Sequence, residues 1–186
     1  MRIGMQTWGS HGDIRPFIAL AGGLKRSGHE ITLLVTSVDG VDYHESASAL
    51  NIKLESIASP VLKTKEEYAQ IAELILHETN PITQIKKIIT KAFLPVEQEM
   101  YCAAEKLCRD NDIIIGHYFH YAIQTAAQKM GRPYVSVALA ASGIPSAKIP
   151  PPGVPNLGRM GNRFFWWLAN LILNKGIKPY VDRLRI

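Results

Sequence analysis

The chain has 186 residues, enough for one domain or one domain with an appendage. Apolar residues make up 47% and charged residues 20%, which supports a packed core and excludes a disordered or low-complexity chain. Lys and Arg outnumber Asp and Glu by 21 to 16, which favours anionic partners such as nucleotide diphosphates or acidic lipid surfaces, while no dense basic run or binding motif points to nucleic acid.

No apolar run reaches the ~18 residues of a membrane-spanning helix, so none is expected. The chain enters a strand at once, without a charged region, apolar stretch and cleavage site. No signal peptide and a cytoplasmic location are therefore expected. If Cys102 and Cys108 share a helix, its rise separates them by about 9 Å, too far for a disulfide. They read as packing thiols in a reduced compartment.

In chain order, residues 2–7 read as a short apolar strand. Trp8-Gly9-Ser10-His11-Gly12-Asp13-Ile14-Arg15-Pro16 follows as a tight turn into a helix. The two glycines let the backbone bend and leave room for a ligand, and Pro16 is expected in the first helical turn, where its missing N–H does no harm. Asp13 is either a helix cap or a carboxylate placed beyond a strand end, where open α/β sheets keep their chemistry. Ile14, Phe17, Ile18, Ala21 and Leu24 form one helical stripe, Gly22 and Gly23 imply close approach to the sheet, and Gly28 ends the helix.

Ile31 to Thr36 reads as a strand covered on both faces. A helix near 40–50 and a strand over residues 52–55 repeat the alternation, so a doubly wound, Rossmann-like parallel sheet flanked by helices follows. Residues 63–110 read as two helices broken near Asn80-Pro81, with Pro95 kinking or dividing the second. Their apolar stripes, Tyr68, Ile71, Ala72, Ile75 and then Ile85, Ile88, Ile89, Phe93, suit packing at the sheet edge. Residues 112–116 form another buried strand, ending in His117-Tyr118-Phe119-His120-Tyr121. A helix stops at Gly131, and Arg132-Pro133 opens a strand over residues 134–139. His117 and His120 read as packing or pocket-lining groups, since two His without a nearby Cys or carboxylate cluster make a poor zinc site.

Residues 140–161 are loop-like and Pro-rich. The final helix, 162–186, carries Phe164, Phe165, Trp166, Trp167, Leu168, Leu171, Ile172 and Leu173, flanked by Arg159, Arg163, Lys175 and Lys178. This helix either docks against protein or lies peripherally at a membrane interface. The chain stops in helix-like sequence without a cap, which suggests a fragment boundary.

The segment from Gly9 to Ala21 resembles the amino-terminal signature of GT-B glycosyltransferases. It is most similar to the branch of sterol glucosyltransferases and antibiotic-aglycone glycosyltransferases, which commonly reads Gly-Ser-Arg-Gly-Asp-Val-x-Pro, with His11 here in place of Arg. A second block matches too: a strand beginning at Asp112, a helix, then Gly131-Arg132-Pro133 and a strand. The resemblance covers essentially all of the chain and implies the amino-terminal, acceptor-binding domain (family 28 N-terminal type) of a two-domain enzyme. It implies inverting transfer of a sugar from a nucleotide-diphosphate donor, UDP- or TDP-linked, to a hydroxyl of a lipid, sterol or other apolar aglycone, with no metal and no further cofactor.

By the same resemblance Asp13 is the catalytic base. Gly9, Ser10, His11 and Gly12 face donor phosphate and sugar, though a tight turn and a surface His explain them equally well. Trp8, His117, Tyr118, Phe119 and Ser142 line the acceptor side, with the helices of 63–110 and the Pro-rich loop shaping that pocket. His-type relatives support their base with an Asp near residue 117. Gly116-His117 stands here instead, which fits an Asp base without a dyad. The implied partner is a carboxy-terminal donor domain, without which the fragment is expected to be inactive. Two further readings stay open: the acceptor subunit of a split, two-chain transferase, and a non-catalytic flavodoxin-like module that binds a ligand or protein.

Overall fold

The β-branched apolar runs are strands: β1 (Arg2–Gly9), β2 (Glu30–Ser37), β3 (Lys53–Ser56), β4 (Ile113–His117) and β5 (Tyr134–Val137). In this computed structural model, residues 1–59 and 61–185 are described, with side chains for all of them except Lys65, Leu76, Pro81, Ile82 and Ser142. The strands form one parallel sheet in the order β3-β2-β1-β4-β5. Parallel neighbours require crossovers, and the helices supply them.

Alternation along the strands sorts the core into two layers. Leu33, Met5 and Ile115 stand side by side across β2, β1 and β4, facing helices α1 (His11–Arg26) and α2 (His44–Ser48). Ile14, Phe17, Ile18 and Ala21 of α1 are buried against them. Complete burial of Ile14 and Phe17 contributes about 1.5–3 kcal/mol each. Leu34 and Ile114 point the other way, to α5 (Glu97–Asp110), α6 (Tyr121–Lys129) and the end of α7 (Gly158–Leu184).

Over 63–110 the second expected helix is divided at Pro95 rather than kinked, giving α3 (Lys65–Leu76), α4 (Pro81–Ile88) and α5. Helix α4 widens into a π-helical turn over Ile89–Phe93 and tightens to a 3₁₀ turn over Leu94–Val96. Pro95 is the cause, having no N–H to give and clashing with the preceding turn. Pro16 differs from expectation. Helix α1 begins at His11, so Pro16 lies inside it, and the carbonyl of Gly12, four residues back, loses its helical donor. Gly12 is exposed, so water can take that place.

Two smaller expectations are corrected. Gly22 makes its close approach to Leu50, whose Cδ1 would lie 3.0 Å from an added Cβ, rather than to the sheet, and Gly23 meets only the Arg26 side chain. Cys108 is a buried packing thiol, but Cys102 is exposed.

Candidate functional site

The strand order reverses between β1 and β4, so their carboxyl ends leave a crevice, the place where open α/β sheets bind ligands. The loop from β1 to α1 reaches into it from one side and the end of β4 from the other. Ser10 is the N-cap of α1 and Asp13 occupies the third helical position. Asp13 is therefore not itself the cap. Its Oδ2 accepts from the Ser10 backbone N–H at 3.0 Å, while Thr7 Oγ1 donates to its backbone carbonyl at 3.0 Å. The carboxylate thus has a fixed orientation with one oxygen uncommitted to backbone.

That orientation depends on Gly9. Its φ is +128°, and a Cβ there would lie 2.2 Å from Asp13 Oδ2. Only glycine adopts this backbone freely and leaves the carboxylate its space.

His117, from the end of β4, faces the other oxygen: Nε2 lies 3.6 Å from Asp13 Oδ1. That is beyond a hydrogen bond but within strong electrostatic reach. The His117 side chain is only 7% exposed, against 37% for Asp13, so the carboxylate is the member of the pair that solvent and ligands meet. The Phe119 backbone N–H donates to His117 Nδ1 at 3.3 Å, which leaves the ring proton of the neutral form on Nε2, facing Asp13. Burial pulls the His117 pKa below its ordinary value, with the Asp13 charge opposing. His117 is therefore neutral near pH 7. The sequence pointed to an unpaired Asp13; the fold instead brings a histidine against it.

A cleft of about 510 Å³ opens beside this pair. Trp8, Gly9, Ser10, His117, Tyr118 and Phe119 line it along the sheet edge. Tyr68, Ile71, Ala72 and Ile75 of α3 and Ile85 and Ile88 of α4 form an apolar wall opposite, with Gln84 among them. Burial and the Asp13 charge push the Tyr118 phenol pKa up, so it stays a protonated donor. A groove of about 620 Å³ lies at the opposite end of the sheet, among Arg2, Glu30, Lys53 and Asp110. It sits at the strand starts, away from Asp13. Among the described residues no group of three or more His, Cys, Asp and Glu stands close enough together to hold a metal ion.

The structure thus brings together Trp8, Gly9, Ser10, Asp13, His117, Tyr118 and Phe119. His11 turns away onto Tyr43, whose hydroxyl lies 2.9 Å from Nδ1. Gly12 has nothing within 4 Å of its Cβ position. Ser142 falls in the short turn Ala141–Gly143, its side chain outside the described residues. The Pro-rich loop is not a wall of the cleft among the described residues. It is held by α7 instead, with Trp166 Nε1 donating to the Ile149 carbonyl at 2.8 Å and Asn162 Nδ2 to that of Ala147 at 3.1 Å. The sequence leads to two expectations for the stripes of α3 and α4: packing at the sheet edge and, from the resemblance, a share in an acceptor pocket. Their half-burial shows that they face a cleft.

The profile of the Glycosyltransferase family 28 N-terminal domain matches residues 3–150. A Sterol 3-beta-glucosyltransferase of Debaryomyces hansenii is 28% identical over 129 residues, 69% of this chain and 8% of that protein. Among solved structures, the glycosyltransferase SnogD from Streptomyces nogalater superposes with a TM-score of 0.54 at 15% identity, over 96% of this chain and 40% of its own. CalG4, the calicheamicin glycosyltransferase, gives 0.54 at 13% identity, over 100% of this chain and 43% of its own. The chain thus spans less than half of each of these proteins. At such identities the structural likeness is one of fold, a Rossmann-like half of the GT-B architecture.

Proposed function

Because the chain belongs to the family of glycosyltransferase family 28 N-terminal domains, we propose that it forms the acceptor-binding half of an inverting glycosyltransferase. The acceptor is a hydroxyl on a lipid, sterol or other apolar aglycone. The donor is a nucleotide-diphosphate sugar, UDP- or TDP-linked, carried by a second, donor-binding domain, and this half alone transfers little or nothing. The apolar wall of α3 and α4 supports an apolar acceptor, since it offers carbon surface on one side of a cleft whose other side carries a carboxylate.

In the proposed reaction the acceptor oxygen attacks the anomeric carbon from the face opposite the diphosphate. Its proton passes to Asp13 as the new C–O bond forms. The bond to the diphosphate breaks, and that group leaves with the electron pair. Asp13 Oδ2 is anchored by Ser10, so Oδ1 takes the proton. His117 acts through Asp13 as a positioning residue: a neutral imidazole with its N–H toward Oδ1 orients the carboxylate without supplying a full positive charge that would lower its basicity. The His11 and Gly12 backbone N–H groups, at the start of α1, lack helical partners and suit a donor phosphate oxygen. Gly9 and Ser10 serve the carboxylate itself. The scheme assigns no step to a metal.

The single observation that carries this reading is the Asp13 carboxylate at the edge of an apolar-walled cleft, one oxygen held by backbone and the other facing His117 with no backbone donor. The test is transfer to a sterol from a UDP-sugar by a polypeptide joining this chain to a donor-binding domain. Asp13→Asn is expected to lower kcat by about 10²–10⁴-fold at unchanged Tm. Undiminished turnover would remove Asp13 from the mechanism.

A further inference from the structure

Helix α7 carries two apolar faces, and among the described residues only one of them is covered. Asn162, Trp166 and Leu184 are buried against the rest of the chain. At about 100° per residue, Met160, Phe164, Trp167 and Leu171 fall within one narrow stripe on the far side of the helix. These four are 88, 56, 59 and 50% exposed, and the Phe164 and Trp167 rings pack together at 5.8 Å. Leu157, one residue before the helix and beside Gly161, is also exposed, at 63%. A contiguous exposed apolar surface of this kind marks a site of interaction.

The charges around the stripe say with what. No Asp or Glu occurs anywhere from residue 113 to 181. Arg159, Arg163 and Lys175 flank the stripe, and none of them is ion-paired among the described residues. Asp182 lies beyond its far end, taken up by Lys178 and Arg185. Exposed aromatics with cations beside them and no acids complement acyl carbon beneath anionic headgroups. The helix lies on such a surface and does not cross it, since no helix among the described residues is long and apolar enough to span a membrane.

We infer that the Met160–Leu171 face of α7 docks this protein on the surface of an anionic membrane. The inference is independent of the transferase reading, because it concerns binding alone. It also suits that reading, since an apolar acceptor would reside in the layer on which the protein rests.

The test is cosedimentation of the 186-residue chain with phosphatidylcholine vesicles, with and without phosphatidylserine, read together with tryptophan emission. Trp8 and Trp166 are buried and Trp167 is exposed, so binding shifts the emission to the blue through Trp167. Affinity is expected to be about tenfold or more higher on the anionic vesicles and to fall with added salt. The double variant Phe164→Ser/Trp167→Ser is expected to lose binding at an unchanged circular dichroism spectrum and Tm. Arg163→Gln/Lys175→Gln is expected to lose the preference for phosphatidylserine. No binding, equal binding to both vesicles, or wild-type binding by either variant overturns the inference. So does a dimer in sedimentation velocity that the double variant abolishes, which would make a second copy the occupant.

Discussion

His117 and His120 leave the same strand three residues apart and end on opposite sides of the sheet. His117 sits on the α1 side, facing a carboxylate at the edge of a cleft, with its Nδ1 held by the Phe119 N–H. His120 is sealed in the layer on the other side, edge-on to Phe93 at 5.3 Å, with no partner for either ring nitrogen among the described residues. Complete burial pushes its pKa down to about 3, and the neighbouring His117 adds to the effect. One region sets a histidine 3.6 Å from a carboxylate oxygen. The other buries one as a neutral space-filler at a cost of about 1–3 kcal/mol in unsatisfied polar atoms. Sequence proximity says little about role when a turn changes the side of the sheet.

The contrast can be broken most severely at the carboxylate, where Asp13→Asn is expected to remove the proposed proton acceptor and with it nearly all transfer. Gly9→Ala comes next. The new methyl needs the space of Oδ2 at a left-handed backbone angle, so transfer should fall about 10–100-fold and stability by about 1–3 kcal/mol. Kinetics and thermal melting of the same variant read both effects.

His117→Gln should cost about tenfold in kcat, with a changed pH profile as the distinguishing sign. In the wild type, acid pH charges His117, and the imidazolium lowers the basicity of Asp13. Transfer therefore declines in acid. Because burial holds the His117 pKa below the ordinary histidine value, this decline sets in only at a pH lower than that value. The glutamine variant should lose that contribution to the acid limb. An unchanged profile would leave His117 as packing only.

The smallest effect belongs to His120. Its folded pKa lies below the unfolded one, so only the unfolded chain takes up this proton between about 6.5 and about 3. Stability from this group is present above 6.5 and is lost as pH falls through that window, at up to about 1.4 kcal/mol per pH unit. His120→Leu should flatten the loss and leave stability at pH 7 equal or slightly raised. Denaturant melts at pH 7 and pH 5 decide it.

Much of this was readable in advance, for identifiable reasons. The β-branched runs at Ile31 and Ile113 and the stripe of Ile14, Phe17 and Ile18 are local patterns, and the strands and α1 formed where they lie. The Gly-x-x-Gly-Asp turn carried enough local chemistry to place Asp13 at the start of α1, beyond the end of the first strand. What stayed open was context. The stripe of Tyr68, Ile71, Ala72 and Ile75 has a spacing that suits packing against protein or lining an open cleft equally well. Pro95 announced an interruption but not whether the helix would kink or divide there.

By itself, the order of residues determined the βαβ alternation, the position of a carboxylate at the first strand-to-helix turn, and the acid-free aromatic helix, because each rests on spacing within a few residues. Only the tertiary structure decided that His117 meets Asp13, that α3 and α4 wall a cleft, and that of two adjacent tryptophans Trp166 is buried and Trp167 is exposed. Those outcomes depend on which strands lie side by side and which of two apolar faces finds a neighbour, and periodicity along a chain carries no record of what lies across from it.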